Sequence, residues 1–125
     1  MKKSTLLFGV MSGTSLDGID IVLIDQHNKG IKIIEFIHMP YNLNTIKDFL
    51  KLHSDQNGDL KHSILMSISH AKITAKGINK ILKKHKLMGK DIECIGYHGQ
   101  TIRHYPKSGY SVQLGSANLL AELTN

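Results

Sequence analysis

The stretch SGTSLDG, residues 12–18, places glycines, hydroxyl side chains and one carboxylate between two apolar segments. Its glycines permit positive φ and a close approach of the backbone to a ligand. Backbone N–H groups in a tight loop can form an anion-binding nest, and Ser12, Thr14 and Ser15 add hydroxyl donors. Asp17 repels a phosphate but could hold Mg²⁺ or its waters, which phosphoryl transfer requires. The composition therefore indicates a phosphate and metal site at a strand–turn–strand.

The same stretch also has a purely structural interpretation. Asp17-Gly18 is a common turn pair, so these residues suit a hydrogen-bonded hairpin. The stretch is not a Walker A loop, because it lacks Gly-Lys-Ser/Thr and because a strand, rather than a helix, follows it. From the pattern alone, both interpretations stay open.

A second polar stretch, GYHGQTIRHYP at residues 96–106, follows a predicted strand. Its polar side chains are His98, Gln100, Thr101, Arg103 and His104. Sites in α/β folds gather at strand ends, glutamine and threonine suit sugar hydroxyls, and arginine suits a carboxylate or phosphate. The alternative is that His98 packs at the strand end and that Arg103 is solvated.

Other catalytic arrangements lack their usual sequence signals. His98 and His104 have no third metal ligand nearby. Glu35, Glu93 and Glu122 are isolated in the sequence, so no carboxylate pair is evident. The serines of the first stretch have no identifiable base, and a G-x-S-x-G elbow is absent.

Five predicted strands and three predicted helices position these stretches. The strands are expected at 4–11, 18–25, 31–39, 91–99 and 110–115, and the helices at 45–53, at about 60–86 and after Ser116. Short turns join the first three strands into an antiparallel meander. The fourth strand follows a helix, so it could run parallel to an earlier strand. The order is βββ-α-α-β-β-α, which is typical of a layered α/β domain.

The apolar periodicity also predicts which side chains the elements bury. The long helix is expected to bury Ile64, Ile68, Ala71, Ala75, Ile78 and Leu82, with Leu65 and Ile81 widening the stripe. The short helix is expected to turn Ile46, Phe49 and Leu50 inward. Asn44 and Asp59 are the expected N-caps. Gly77 is expected to weaken the long helix by about 1 kcal/mol relative to alanine. Cys94 is expected to be a small buried hydrophobe.

Composition restricts the class of protein. The chain has 125 residues, 41% hydrophobic and 21% charged, which suits one globular domain. The net charge of +6 raises nucleic acid as a partner, but Arg103 is the only arginine and base readout favours arginine, so we expect no nucleic-acid partner. The single cysteine suits a reducing compartment. The N-terminal apolar run is too short for a signal peptide, and no segment reaches membrane-spanning length, so we expect a cytoplasmic protein without a membrane partner.

The two polar stretches together resemble the anhydro-N-acetylmuramic acid kinase family. GVMSGTSLDGID at 9–20 is similar to the opening signature of that family almost residue for residue. IGYHGQTIRHYP at 95–106, followed by SVQLGSANLLAELT, resembles a second family block. Two departures stand out. Asn125 replaces a usual glycine, and Ser116-Ala117 replaces a common Asp-Pro.

The resemblance implies an actin-like ATPase (ribonuclease H-like) fold, of which residues 1–125 would be a single, truncated N-terminal phosphate-loop lobe without the second lobe. It implies that ATP phosphorylates the 6-oxygen of 1,6-anhydro-N-acetylmuramic acid while water opens the anhydro bridge. The product would be N-acetylmuramate 6-phosphate, formed during peptidoglycan recycling. The implied cofactors are ATP and Mg²⁺.

The resemblance also assigns site residues. The segment that binds the ATP phosphates would be Gly13, Thr14, Ser15, Leu16, Asp17, Gly18, Ile19 and Asp20. Asp17 would hold Mg²⁺ through water. The substrate-side candidates are His98, Gln100, Thr101 and Arg103. The general base is expected beyond residue 125, so no catalytic residue is assigned here and the isolated piece is expected to be inactive. A homodimer of the full-length protein is possible. The alternative is a non-catalytic lobe that binds nucleotide or muramyl sugar.

Overall fold

The computed structural model describes residues 4–54 and 60–125. The strands are β1 (Thr5–Ser12), β2 (Gly18–His27), β3 (Gly30–Pro40), β4 (Ile92–Tyr105) and β5 (Tyr110–Leu114), and the helices are α1 (Leu43–Lys51), α2 (Leu60–Lys84) and α3 (Ala117–Thr124). The predicted order βββ-α-α-β-β-α is confirmed, and with it the α/β class of an actin-like N-terminal lobe. Within the described ranges, no helix is both long and apolar enough to cross a membrane.

The five strands form one sheet in the order β3-β2-β1-β4-β5. β1, β2 and β3 pair antiparallel as the expected meander, and β5 pairs antiparallel with the second half of β4. β4 runs parallel to β1, because the two helices between them carry the chain back to the starting edge. The end of β1 therefore lies beside the middle of β4, which brings the two polar stretches together.

The pairing of β1 with β4 contains an irregularity at this meeting point. Val10 pairs with Tyr97 and Ser12 with Gln100, so β4 advances three residues while β1 advances two. The extra residue is accommodated at Gly99, whose φ of 74° favours glycine. The predicted end of the strand at residue 99 is therefore wrong: the backbone bulges there and the strand continues to Tyr105.

Helix α2 covers one face of the sheet, but the predicted stripe is right only in its second half. Its buried residues are Met66, His70, Ala71, Thr74, Ala75, Gly77, Ile78, Ile81 and Leu82. Ile64 and Leu65 are each 52% exposed. The inward face instead carries Met66 and His70 in the first half and Thr74 just beyond the middle, and a search for apolar residues alone passes over the two polar ones.

The boundaries and burial of smaller features also differ from expectation. Asn42, not Asn44, caps α1 by accepting the Thr45 N–H at 2.8 Å. Phe49 is fully buried as expected, whereas Leu50 is half exposed. Cys94 is exposed rather than buried. The expected cap Asp59 lies outside the described residues.

Candidate functional site

The loop between β1 and β2 is held by its own backbone and by the start of α1. Leu16 N–H donates to the Gly13 carbonyl at 3.3 Å, and Tyr41 N–H donates to the Asp17 carbonyl at 3.1 Å. The left-handed residue is Leu16, with φ of 57°, rather than Gly13. Its side chain is buried, so packing holds a conformation that is unfavourable for leucine. The loop is therefore fixed at both ends.

Three polar side chains of the loop face solvent: Thr14, Ser15 and Asp17. The Ser15 hydroxyl donates to the Asp17 carboxylate at 2.7 Å. This hydrogen bond, with further support from the local backbone, lowers the pKa of Asp17. The carboxylate is therefore ionised at neutral pH and exposed where a ligand could meet it.

Asp20 is paired with a neighbouring histidine. Its carboxylate lies 2.7 Å from Nδ1 of His38, and this bond raises the pKa of His38. The His38 ring also covers Gly18, where an added Cβ would lie 2.8 Å from the ring and 2.3 Å from the Met39 carbonyl oxygen. Glycine at this position therefore allows β3 to close against the loop.

Gln100 connects the two polar stretches directly. Its Nε2 donates to the Gly13 carbonyl at 3.0 Å, and its Oε1 accepts the Tyr41 hydroxyl at 3.0 Å. Gln100 is fully buried, and burial also raises the pKa of Tyr41. The amide thus anchors the first residue of the loop and holds it against β4.

A second buried link joins β1, α2 and β4. The Ser12 hydroxyl donates to the Gly99 carbonyl at 2.6 Å and lies 3.0 Å from Nε2 of His70. Nδ1 of His70 lies 2.6 Å from the Tyr97 hydroxyl. Burial lowers the pKa of His70 to about 4 and raises the pKa of Tyr97 to about 12, so both groups are neutral at pH 7. Ser12 points inward and is not one of the solvent-facing hydroxyls.

An open cleft of about 270 Å³ lies where the two stretches meet. It is lined by Thr14 from the loop, His53 from the segment after α1, and Thr101, Ile102, Arg103, His104 and Tyr105 from β4. The cleft combines hydroxyl, imidazole and guanidinium groups beside the loop, a mixture that suits a polar ligand such as a sugar or phosphate.

The remaining substrate-side candidates differ in what they contact. Arg103 donates from Nε to the Leu52 carbonyl and from Nη2 to the Ser54 carbonyl, both at 2.8 Å. Thr101 Oγ1 accepts a hydrogen bond from Gln113 at 3.2 Å. His98 is exposed and donates from Nδ1 to the Gly99 carbonyl at 2.8 Å. Arg103 therefore links β4 to the end of α1, whereas the His98 side chain is exposed.

Comparison with known proteins identifies the family. Residues 5–125 match the family model described as anhydro-N-acetylmuramic acid kinase. The chain belongs to this family. The family resemblance of the two polar stretches is thereby confirmed.

Individual anhydro-N-acetylmuramic acid kinases are similar over nearly the whole chain. One from Pseudomonas syringae pv. tomato is 42% identical over 117 residues, which are 93% of this chain and 32% of the relative. One from Neisseria meningitidis serogroup C is 38% identical over 123 residues, 98% of this chain and 34% of the relative. The chain therefore spans about a third of the length of the curated relatives it matches.

The motifs of the sequence do not reveal the residues behind the loop. His70 lies on α2, Tyr97 on β4 and Tyr41 between β3 and α1, so they share no short motif. The available signal was a histidine at an inward position of an otherwise apolar helix. A buried imidazole requires hydrogen-bond partners, and hydroxyl groups on neighbouring strands are suitable ones.

Proposed function

We propose that these residues form the phosphate-binding lobe of a kinase that uses ATP and water to convert 1,6-anhydro-N-acetylmuramate to N-acetylmuramate 6-phosphate in peptidoglycan recycling. The observation that carries the proposal is the loop itself. It exposes Thr14, Ser15 and an ionised Asp17, while Gln100 holds its first residue to the strand that carries the second polar stretch. Family membership supplies the class of reaction.

The loop residues suit the phosphate groups of ATP, which supplies the phosphoryl group to the reaction. Gly13 leaves room, because the nearest atom to an added Cβ would be the Ser15 hydroxyl at 3.7 Å. The exposed Thr14 hydroxyl can donate to a phosphate oxygen. Leu16 and Ile19 are buried in the core, so their contribution to the segment 13–20 is to fix the backbone.

Asp17 suits Mg²⁺ bound through water. Mg²⁺ commonly takes one or two carboxylates and completes its shell with water and substrate phosphates. Across residues 4–54 and 60–125, no group of three or more histidine, cysteine, aspartate or glutamate side chains is placed to hold a metal. A single carboxylate beside bound phosphates is therefore the metal-binding contribution that we propose for this lobe.

The sugar side of the cleft would be formed by the second stretch. We assign a direct contact in this cleft to Thr101, because Gln100 and Arg103 already hold backbone carbonyls of neighbouring segments. His98 lines a separate pocket with Gly99 and Gln113, and a contact from there to the sugar is the weaker part of the assignment. Gln100 and Arg103 would shape the cleft from behind. The base that activates water would be supplied by the part of the kinase outside residues 1–125. A cytoplasmic location and a homodimer of the complete protein belong to the same proposal.

The test is ADP release by the protein expressed from its complete reading frame, with ATP, Mg²⁺ and 1,6-anhydro-N-acetylmuramate. Asp17→Asn keeps a turn-forming side chain but removes the charge, so turnover should fall at least tenfold with an altered Mg²⁺ dependence. Gly13→Val should reduce turnover further by blocking the approach of phosphate. Asp25→Asn, at the far end of β2, is the matched control and should retain wild-type turnover.

Two outcomes would change the proposal. Unchanged turnover and Mg²⁺ dependence in Asp17→Asn would make this residue structural. Binding of Mg-ATP or of the anhydro sugar without any turnover by the complete protein would support the non-catalytic binding lobe instead.

A further inference from the structure

Four groups lie in a row behind the phosphate loop, on three different elements. They are the Tyr97 hydroxyl on β4, the His70 imidazole on α2, the Ser12 hydroxyl at the end of β1, and the Gly99 carbonyl on β4. The successive distances are 2.6, 3.0 and 2.6 Å. His70 and Ser12 are at most 2% exposed, so water does not compete for these bonds.

The position of each proton in the row follows from the acceptor at one end, the Gly99 carbonyl. The Gly99 carbonyl cannot donate, so the Ser12 hydroxyl proton lies on the bond to Gly99. The contact between Ser12 and His70 then requires a proton on Nε2 of the imidazole. In a neutral imidazole Nδ1 is then the acceptor, and it receives the proton of the Tyr97 hydroxyl. Every donor in the row therefore has one acceptor.

The direction of this row is set at its Gly99 end, because the carbonyl oxygen can only accept a hydrogen bond. If Nδ1 carried the proton instead, Nε2 would accept, and it would draw the Ser12 proton away from Gly99. Ser12 directly precedes Gly13, and Gly99 directly precedes Gln100, whose amide binds the Gly13 carbonyl. The row thus fastens the residues on both sides of the contact that holds the loop to β4.

We propose that His70 is a positioning residue for the phosphate loop: as the Nε2–H tautomer, whose Nδ1 accepts from Tyr97, it donates to Ser12, keeps the Ser12 hydroxyl proton on the Gly99 carbonyl and so sets the loop for nucleotide binding. That the loop binds nucleotide phosphate rests on the function proposed above. His70 does not touch the ligand in this proposal and acts only through Ser12.

Glutamine tests the tautomer directly. The amide nitrogen and oxygen of glutamine offer one donor side and one acceptor side, like the two nitrogens of this tautomer, but the side chain does not titrate. His70→Gln can therefore donate to Ser12 and accept from Tyr97. His70→Leu removes both bonds, and Tyr97→Phe removes only the hydroxyl that donates to Nδ1. Thr124→Val, which removes a buried hydroxyl bonded within α3, is the matched control.

The experiment uses the complete protein, with Mg-ATP binding measured by equilibrium dialysis and turnover by ADP release. We expect Tyr97→Phe and His70→Leu to raise both the Kd and the KM for Mg-ATP by about three- to tenfold. His70→Gln should stay within about twofold of wild type, and Thr124→Val should not differ from it. ¹⁵N-histidine NMR of the wild type should show His70 with Nδ1 unprotonated and Nε2 protonated, and Tyr97→Phe should shift the Nδ1 resonance because that nitrogen loses its hydrogen-bond donor.

The results separate the two proposals. Folded Tyr97→Phe protein with wild-type Mg-ATP affinity, or a His70 protonated on Nδ1, would overturn the positioning role; if His70→Leu does not fold, these two measurements still decide. Absence of turnover with the expected changes in Mg-ATP affinity would remove the kinase function and leave the positioning role standing. Turnover with unchanged variants would remove only the positioning role.

Discussion

The Cδ1 methyl group of Ile21 occupies the place where a side chain of residue 77 would begin. A Cβ built on Gly77 would lie 2.4 Å from this methyl, 3.0 Å from the Met39 side chain and 3.3 Å from that of Ile37. Helix α2 therefore packs against β2 and β3 so closely that a side chain at residue 77 would have to displace the Ile21 methyl group. The expectation of a weak point in the helix missed this role, because helix propensity takes no account of the neighbouring sheet.

Gly77→Ala is expected to destabilise the protein. Helix propensity alone favours alanine by about 1 kcal/mol, but the clash with Ile21 should outweigh it and lower the free energy of unfolding by about 1–3 kcal/mol. Urea denaturation measures the difference. Gly96→Ala is the control, because its added Cβ would meet only the Phe8 carbonyl oxygen at 3.7 Å. A gain in stability for Gly77→Ala would show that the helix and sheet are less closely packed.

At position 16, glycine should give a more stable protein than alanine, which is the reverse of the usual order. The φ of 57° at Leu16 lies in the left-handed region, where a Cβ costs about 1–2 kcal/mol. Both substitutions lose the buried side chain, so their difference isolates the backbone. Leu16→Gly should therefore be more stable than Leu16→Ala by about 1 kcal/mol in denaturant titrations.

The matched pair for this comparison is Lys72→Gly and Lys72→Ala on the exposed face of α2. There alanine should be the more stable by about 1 kcal/mol. The same ranking at both positions would contradict the left-handed conformation of Leu16.

The buried His70 should make stability depend on pH. Below pH 6.5 the unfolded chain protonates this imidazole, whereas the folded protein does not do so until its pKa of about 4. The unfolded state then binds more protons, so the free energy of unfolding falls as pH decreases from 6.5 towards 4. The loss should approach about 3 kcal/mol. Unfolding titrations across this range, compared with His70→Gln, measure it.

A second histidine helps to interpret that measurement. His38 has a raised pKa in the folded protein, so its contribution is complete below pH 6.5 and is lost only at higher pH. Parallel pH profiles for wild type and His70→Gln would refute a neutral buried His70.

The stability of the protein should depend on the forked hydrogen-bonding geometry of the Arg103 guanidinium group and not only on its positive charge. Its two bonds to the Leu52 and Ser54 carbonyls tie the end of α1 to β4. A lysine ammonium cannot reproduce this geometry, so Arg103→Lys should lower the free energy of unfolding by about 1–2 kcal/mol, measured by denaturation. Unchanged stability combined with a raised KM for the sugar would instead favour a direct substrate contact.

The sequence predicts the fold well because its local signals agree with one another. Gly30 marks the turn between β2 and β3, and Pro40 ends β3. The apolar stripe from Ala71 to Leu82 packs as expected. The loop at 12–18 was located from composition alone. These features depend on short-range patterns that repeat every two to four residues, and such patterns can be read from the sequence directly.

The remaining errors have physical reasons that local patterns cannot contain. Asn42 and Asn44 are equally good caps by residue type, so the sequence alone does not choose between them. The positive φ at Leu16 is held by burial of the side chain, and no propensity predicts it. His70 and Tyr97 meet only because β4 pairs parallel to β1. Contacts across the sheet therefore determine the details of the site.

Because of the extra residue at Gly99, the number of residues in this part of β4 matters as much as their types. Gly99 and Gln100 are both buried although they are neighbours, because the bulge interrupts the alternation of the strand. Removing one residue here would restore a regular strand and turn Gln100 to the opposite face. The Gly13 carbonyl would then lose its partner although every side chain type was still present. Homologous sequences in this segment should therefore tolerate exchanges of residues far more readily than insertions or deletions.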